Sequence, residues 1–369
     1  MRIGVDAREL CGHATGVGRY LAGLLTEWSS GPAARQHEFV LYAPEPLTIG
    51  LDRHRFRTRL VAGSGGTWWE QIKTLPAAAH DHLDVWFAPG YTAPLRIEVP
   101  IVLAVHDLSF FAHPEWFRVR EGVRRRWLTE RSVAAARQVI TISEFSKREL
   151  IERLAVAAEK IAVIPPGVSR PAGLSDPSDM SHAPSAMDRR PPRVLYVGSL
   201  FTRRHVTDLI RAFAPIARRH PEACLEIAGD NRTYPHENPR ETIVAEGIER
   251  QVRWQAYVPD TALCELYAHA DAFGFLSEYE GLGLTPLEAL SAGVPSVLLD
   301  TPVARESCGD AALYVPPGDV PAATRAITQL LFNDETRAPL LQAAPAVLAR
   351  YDWPRAARDT LQVIAECSR

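Results

Sequence analysis

Short apolar runs of strand length alternate with helical patterns along nearly the whole chain, and this alternation constrains the fold more than any other feature. The first half carries Arg2–Val5, Phe39–Tyr42, Val85–Ala88, Ile101–Val105, Val139–Ile142 and Ile161–Ile164. The second half carries Arg193–Val197, Cys224–Ala228, Val252–Gln255, Ala272–Phe275, Ser296–Leu299 and Leu313–Val315. Runs this short and continuous read as strands buried on both faces, the mark of parallel sheets. Alternation with helices predicts βαβ units and doubly wound α/β sheets. Between the two sets lies Ser169–Pro192, SRPAGLSDPSDMSHAPSAMDRRPP, which has no periodicity and reads as a linker. A length of 369 residues suits two domains. The expected layout is a Rossmann-like domain at 1–168, a linker at 169–192, a second Rossmann-like domain at 193–350 and a helical tail at 351–369.

Composition removes several classes of function. A net charge of −3 argues against nucleic acid as the main partner. Cys11, Cys224, Cys264, Cys308 and Cys367 are scattered, odd in number and form no C-x-x-C pair, so they read as thiols in a reducing cytoplasm. The start, MRIGVDAREL, reads as a strand and not as a signal peptide. No apolar run reaches the roughly 18 residues of a membrane span, so any membrane contact is expected to be peripheral.

The motif richest in chemistry runs from Glu280 to Glu288, two carboxylates eight positions apart. Between them lie Gly281, Leu282, Gly283, Leu284 and Thr285, with Pro286 placed as in a helix's first turn. Glycines let backbone approach a ligand closely. Helix-start amides at Leu284 and Thr285 can hold a phosphate. Glu288 can accept from a sugar hydroxyl, and Glu280 stands where a second sugar could be held. The bland alternative is a glycine turn with two solvated acids. A second constellation follows strand Arg193–Val197: Gly198, Ser199, then Arg203-Arg204. A glycine at the carboxyl end of a domain's first strand marks a ligand crevice, and two cations beyond it can neutralise a diphosphate. An ordinary basic loop is the alternative.

Three further segments follow strands of the first half. Gly16 and Gly18 open a helix expected near Gly18, in a G-x-G that stops short of a dinucleotide fingerprint because Leu21 stands at the third glycine position. His106-Asp107 directly follows Ile101–Val105, where side chains face a ligand crevice; Asp107 either bonds His106 or turns outward to cap the next loop. Ser143-Glu144-Phe145-Ser146-Lys147-Arg148 opens another helix, with Ser143 either its N-cap or a ligand contact.

These motifs resemble those of glycosyltransferase family 4, retaining enzymes of the GT-B fold, over nearly the whole length. The resemblance implies two Rossmann-like domains facing each other across a cleft, with the tail folded back on the first domain. It implies that Glu280 contacts the transferred sugar, Glu288 the nucleotide ribose, and the amides of Leu284 and Thr285 the diphosphate. Arg203-Arg204 stands where the family usually shows Arg-Lys. The chain holds no Asp-x-Asp metal motif, so the resemblance implies transfer without metal or cofactor, the leaving charge met by Arg203, Arg204 and helix amides. Tyr257-Val258 resembles the base-reading segment, and Gly229-Asp230 lines the donor cleft of relatives, although Asp230 equally suits a turn cap. The Gly16–Gly18 loop is expected near the diphosphate. Arg19 is expected either on phosphate or as a surface cap, Tyr20, Asp107 and Ser143 at the acceptor, and His106 against the transferred sugar. The implied mechanism is front-face: the leaving phosphate takes the acceptor proton, and Glu280 positions the donor without becoming a covalent nucleophile.

Within the family, GVDAREL, TGVGRYL and HDLSFFAHPEWF look most like bacterial mannosyl- or rhamnosyltransferases of polysaccharide assembly. GDP-mannose is therefore the expected donor and a glycan or lipid-linked oligosaccharide the acceptor, with a UDP-sugar as the alternative. A GT-B nucleotide-sugar isomerase and a non-catalytic sensor are the competing classes. Two arginine groups remain: Arg53, Arg55, Arg57 and Arg59, and the run from Arg118 to Arg131 with Trp116, Phe117 and Trp127. They suit anionic lipid on the inner face of the plasma membrane, a diphosphate-bearing acceptor, or a solvated face partnered by Glu121 and Glu130.

Overall fold

The computed structural model describes residues 1–12, 16–170 and 190–368. Most of the expected linker, 171–189, and Thr15 of the first glycine loop lie outside them. The chain falls into two compact units: Met1–Pro114, Val119–Gly167 and Tyr351–Arg369 in one, Glu115–Arg118 and Val168–Arg350 in the other.

The first unit holds strands β1 (Arg2–Asp6), β2 (Glu38–Ala43), β3 (Phe56–Leu60), β4 (Val85–Ala88), β5 (Ile101–Ala104), β6 (Gln138–Thr141) and β7 (Ile161–Val163). They pair in parallel in the order β3-β2-β1-β4-β5-β6-β7. The second holds β8 (Arg193–Val197), β9 (Cys224–Ala228), β10 (Val252–Gln255), β11 (Ala272–Phe275), β12 (Ser296–Leu299) and β13 (Ala312–Val315). These are parallel in the order β10-β9-β8-β11-β12-β13. Both sheets are doubly wound. The order reverses between β1 and β4 in one and between β8 and β11 in the other, and loops diverging from such a switch point leave a crevice at the strands' carboxyl ends.

Every expected apolar run is a strand. β3 was not expected, because its sequence FRTRL carries a cation at alternate positions. The pleat explains it. Phe56 turns into the core and stacks on Phe39, ring centres 4.5 Å apart, while Arg57 and Arg59 turn to the other face and reach buried Asp81 at 3.8 and 2.9 Å. Arg55 is likewise occupied, by Asp52 and the carbonyls of Trp28 and Ser29. Three of the four arginines in the 53–59 group thus have acidic partners at this edge of the sheet.

The tail forms the helix Trp353–Cys367 within the first unit. Its Ala356, Ala357, Leu361 and Ile364 share one core with Tyr20, Leu24 and Trp28 of the helix Gly16–Ser30, and Trp28 Nε1 donates to the Ala357 carbonyl at 2.8 Å. Burying each large apolar side chain contributes about 1.5–3 kcal/mol, which favours seating this helix on the first unit. Among the described residues no helix is long and apolar enough to cross a membrane.

Candidate active site

In the second unit, the loops after β8 and β11 leave the switch point together. Gly198, after β8, donates its N–H to Ala228. Gly229, after β9, passes so close that a Cβ there would lie 1.9 Å from the Gly198 carbonyl; only glycine fits. Ser199 then donates to Asp230 at 2.6 Å, and Arg232 pairs with the same carboxylate. Asp230 thereby ties two loops together.

The turn Thr202–Arg204 is zipped to the loop after β11. Glu278 N donates to the Arg203 carbonyl at 2.9 Å, and His205 Nε2 lies 3.1 Å from Glu278 Oε2. Arg204 gives Nε to Glu280 Oε1 at 2.7 Å and Nη2 to Oε2 at 3.2 Å, with Nη1 on the Ser199 carbonyl at 3.0 Å. Ser277 adds a bond to Glu280 Oε1 at 2.9 Å. Burial pushes the Glu280 carboxyl up, but Arg204, Arg203 and these hydrogen bonds outweigh it and hold it below the usual glutamate range. Glu280 is therefore an anion clasped by a cation. It can accept from hydroxyls, since a carboxylate offers about four lone-pair sites, but it is no proton donor. Arg203 lies over the Phe201 ring at 4.3 Å, and its buried Nε has no hydrogen-bond partner. Both arginines were expected on a diphosphate; Arg204 is instead engaged with Glu280, and Arg203 holds the spare donor.

Beyond Glu280 and Gly281 the chain turns at Gly283, whose φ of 87° suits glycine, and enters the helix Leu284–Ser291. The first-turn amides, Leu284 and Thr285 among them, have no intrahelical acceptor, and the helix dipole adds partial positive charge there. Glu288 sits one turn in, its Oε2 accepting from Tyr267 Oη at 3.2 Å. At the sheet's edge, Trp254 Nε1 bonds the Gly229 carbonyl at 2.8 Å. Exposed Tyr257 and half-buried Val258 follow β10, just before the helix Asp260–Ala268. The second unit thus gathers Gly198, Ser199, Arg203, Arg204, Gly229, Tyr257, Val258 and residues 280–288 along the carboxyl edge of one sheet.

In the first unit, Gly16 and Gly18 lie in the first turn of the helix Gly16–Ser30 and Arg19 is exposed on it. Tyr20, expected at the acceptor, is corrected: the helix turns it inward, where it is buried with its ring edge-on to His106 at 4.8 Å. His106 is 8% exposed, and its Nε2 lies 2.7 Å from the Pro89 carbonyl. A carbonyl can only accept, so Nε2 carries the hydrogen and Nδ1 is the acceptor. Burial lowers the His106 pKa, against the pull of Pro89 and Asp107, and the ring is neutral near pH 7. Asp107 takes the capping role: it accepts from Tyr91 Oη at 2.5 Å and from Ser109 N at 2.8 Å. Ser143 takes the N-cap reading of the two, buried and accepting from Ser146 N at 3.0 Å.

Several supporting side chains had no sequence signal. Ser277 and Tyr267 hold Glu280 and Glu288. At the carboxyl end of β1, buried Asp6 and Glu70 flank Arg8, with Arg8 Nη2 at 2.5 Å from Glu70 and Thr92 donating to Glu70 at 2.7 Å. Glu70 lies on a π-helical turn, Trp69–Lys73; such turns are frequent at functional sites. Of these, only Ser277, three positions before Glu280, lies near a motif.

A doubly wound sheet with clasped carboxylate, paired cations and an open helix start along one edge defines an enzyme of group transfer from phosphate-bearing donors. The family model "Glycosyl transferases group 1" matches residues 178–347, and "Glycosyltransferase Family 4" matches 14–170. The chain is 29% identical over 293 residues to O-antigen chain mannosyltransferase B of Escherichia coli, covering 77% of this chain and 75% of that one. It is 30% identical over 323 residues to D-inositol 3-phosphate glycosyltransferase of Corynebacterium jeikeium, covering 84% and 77%. The crystal structure of Anabaena HepE in complex with UDP and glucose superposes with a TM-score of 0.76 at 18% identity, over 99% of this chain and 100% of that one. The chain belongs to glycosyltransferase family 4, has the two Rossmann-like domains of the GT-B fold, and is a glycosyltransferase.

Proposed function

We propose that the protein transfers mannose from GDP-mannose to a glycan or lipid-linked oligosaccharide, with retention and without a metal ion. The observation that carries the donor site is the Arg204–Glu280 clasp beside the open helix start at Leu284. In this reading the diphosphate lies on the Leu284 and Thr285 amides and on Arg203, Glu288 holds the ribose, Glu280 orients the sugar, and Tyr257-Val258 meet the base. The sugar's bond to phosphate breaks as the acceptor oxygen bonds the same carbon from the same face, and the acceptor proton passes to the leaving phosphate oxygen. Arg203 and the helix amides stabilise charge on that oxygen. Neutral His106 offers Nδ1 to a bound hydroxyl. The choice of mannose rests on the likeness to the O-antigen mannosyltransferase. A UDP-sugar donor is the alternative, favoured by the likeness to HepE with its bound UDP and glucose.

The test is thermal stabilisation by GDP, UDP, TDP, ADP and their common sugars, with and without EDTA, since a ligand of the folded state raises the Tm. A shift selective for GDP compounds and indifferent to EDTA is expected. A shift confined to UDP compounds moves the assignment to a glucosyl- or galactosyl-type donor, and loss of the shift in EDTA ends the metal-free reading.

We further propose that the helix Val119–Ala135 meets an anionic membrane surface. Val119, Val123 and Trp127, spaced by four, are 77%, 52% and 51% exposed. Arg120, Arg124 and Arg131 are exposed beside them. Glu121 and Glu130 are exposed on the same helix. An apolar stripe bordered by arginines suits the boundary of anionic lipid.

A further inference from the structure

At the outer, β3 edge of the first unit's sheet lies a cavity of about 430 Å³, within the roughly 300–1,000 Å³ usual for small-molecule sites. Its floor is one face of the edge strands. Phe56 and Leu60 of β3 point into it, with Leu41 of β2, the register partner of Thr58. Its other wall is the segment between β2 and β3, which contributes alternate residues Leu47 and Ile49. Leu60 is 55% exposed at the rim. An apolar side chain left open beside a cavity of this size is a cost that an apolar occupant removes. The one charged residue lining it is Arg53. Arg53 is exposed and, unlike Arg55, Arg57 and Arg59, forms no ion pair among the described residues. No acidic side chain lines the cavity.

We propose that this cavity binds one apolar chain bearing an anionic head group, the chain between the β2–β3 face and Leu47 and Ile49, the head group at Arg53. The Leu47, Ile49, Leu51 and Leu60 side chains around it suit an alkyl or isoprenoid chain, Thr58 and backbone supply polar surface beside them, and the lone guanidinium selects carboxylate or phosphate over a neutral or cationic head. The site is independent of the donor reading and of the helix Val119–Ala135.

The test titrates the whole protein with 11-(dansylamino)undecanoic acid, following dansyl emission, below the concentration at which the probe self-associates. Saturable one-to-one binding with a blue shift is expected, displaced by dodecanoate and dodecyl phosphate and not by dodecyltrimethylammonium. Either order of the two anions supports the site; tighter dodecyl phosphate assigns it to a lipid phosphate and tighter dodecanoate to a fatty acid. Ile49→Trp, which fills the cavity, and Arg53→Glu are each expected to weaken the probe about tenfold or more, the scale of losing a short buried chain segment or a charged partner. Leu60→Glu, at an exposed rim position, gives the same result should Ile49→Trp fail to fold. Trp127→Ser leaves binding unchanged. Unsaturable binding, equal displacement by the cation, or affinity within about twofold of the parent in Leu60→Glu and Arg53→Glu would overturn the proposal.

Discussion

Arg204 and Glu280 are 76 positions apart and meet in a two-bond fork, Nε to Oε1 at 2.7 Å and Nη2 to Oε2 at 3.2 Å. Each partner answers the other's burial. Removing one leaves an unpaired buried charge, which typically costs about 3–5 kcal/mol. Arg204→Ala is therefore expected to lower both Tm and turnover. Arg203→Ala removes a guanidinium that stacks on Phe201 and acts on Glu280 only at longer range, and is expected to lower Tm less than Arg204→Ala while lowering kcat about 10²- to 10³-fold, the scale of one lost transition-state donor. Calorimetry and steady-state kinetics on the two variants separate these outcomes; equal kcat in Arg203→Ala and the parent would remove Arg203 from the reaction.

Glu288 sits one turn into the helix Leu284–Ser291 with Tyr267 on one oxygen. If it holds a ribose, Glu288→Ala forfeits a charge-assisted hydrogen bond of roughly 1.5–3 kcal/mol. Donor KM and the Kd of the bare nucleoside diphosphate are expected to rise together, about 10- to 100-fold. An unchanged diphosphate Kd in titration calorimetry would place Glu288 away from the nucleotide.

Much of this arrangement is legible in the sequence, and the reasons for the rest are physical. Buried parallel strands leave continuous apolar runs, so the sheets could be read directly. β3 could not, because its outer-face arginines answer Asp81 and interrupt the run. The 280–288 motif is local, since a turn and a helix start set its spacing. The Arg204–Glu280 fork is not local: it exists because β8 and β11 are neighbours at a switch point. Tyr20 was misplaced because a glycine-rich helix start shows where a ligand could approach and not which way the next side chain turns. Asp107 and Ser143 could each cap or bind, and only the backbone amides at Ser109 and Ser146 show that they cap.

Two buried groups in the first unit give opposite pH signatures. Burial pushes the Asp6 carboxyl up from 3.8 to about 6, opposed by Arg8 and assisted by Glu70 and Glu9. Folded Asp6 thus holds a proton more tightly than unfolded Asp6, so its contribution is present in acid and is lost as pH rises through about 6, a change of roughly 3 kcal/mol. Burial lowers the His106 pKa, so its contribution is present above the ordinary histidine range and is lost as pH falls below it. Relative to the parent, Asp6→Asn is expected to gain stability as pH rises from about 4 to 6, and His106→Asn to gain stability as pH falls below about 6.5. Denaturant midpoints across pH 4.5 to 7.5 check both signs, and parallel curves for all three proteins would show that neither group titrates differently on folding.

The exposed stripe Val119, Val123 and Trp127 makes a prediction independent of catalysis. Interfacial binding combines apolar burial with attraction between arginine and anionic lipid, each basic residue contributing about 1 kcal/mol near the surface. The protein is expected to sediment with vesicles containing phosphatidylglycerol and to be released by high salt, because screening at 1 M shortens the reach of charge to about 3 Å. Trp127→Ser is expected to reduce binding with its salt dependence retained, whereas a double Arg120→Gln, Arg124→Gln variant is expected to reduce both. All three positions are exposed, so the fold and the turnover of a water-soluble acceptor should be unaffected. Binding that ignores salt, or is equally strong to neutral vesicles, would leave the arginines without a part in it and return this helix face to ordinary solvated surface.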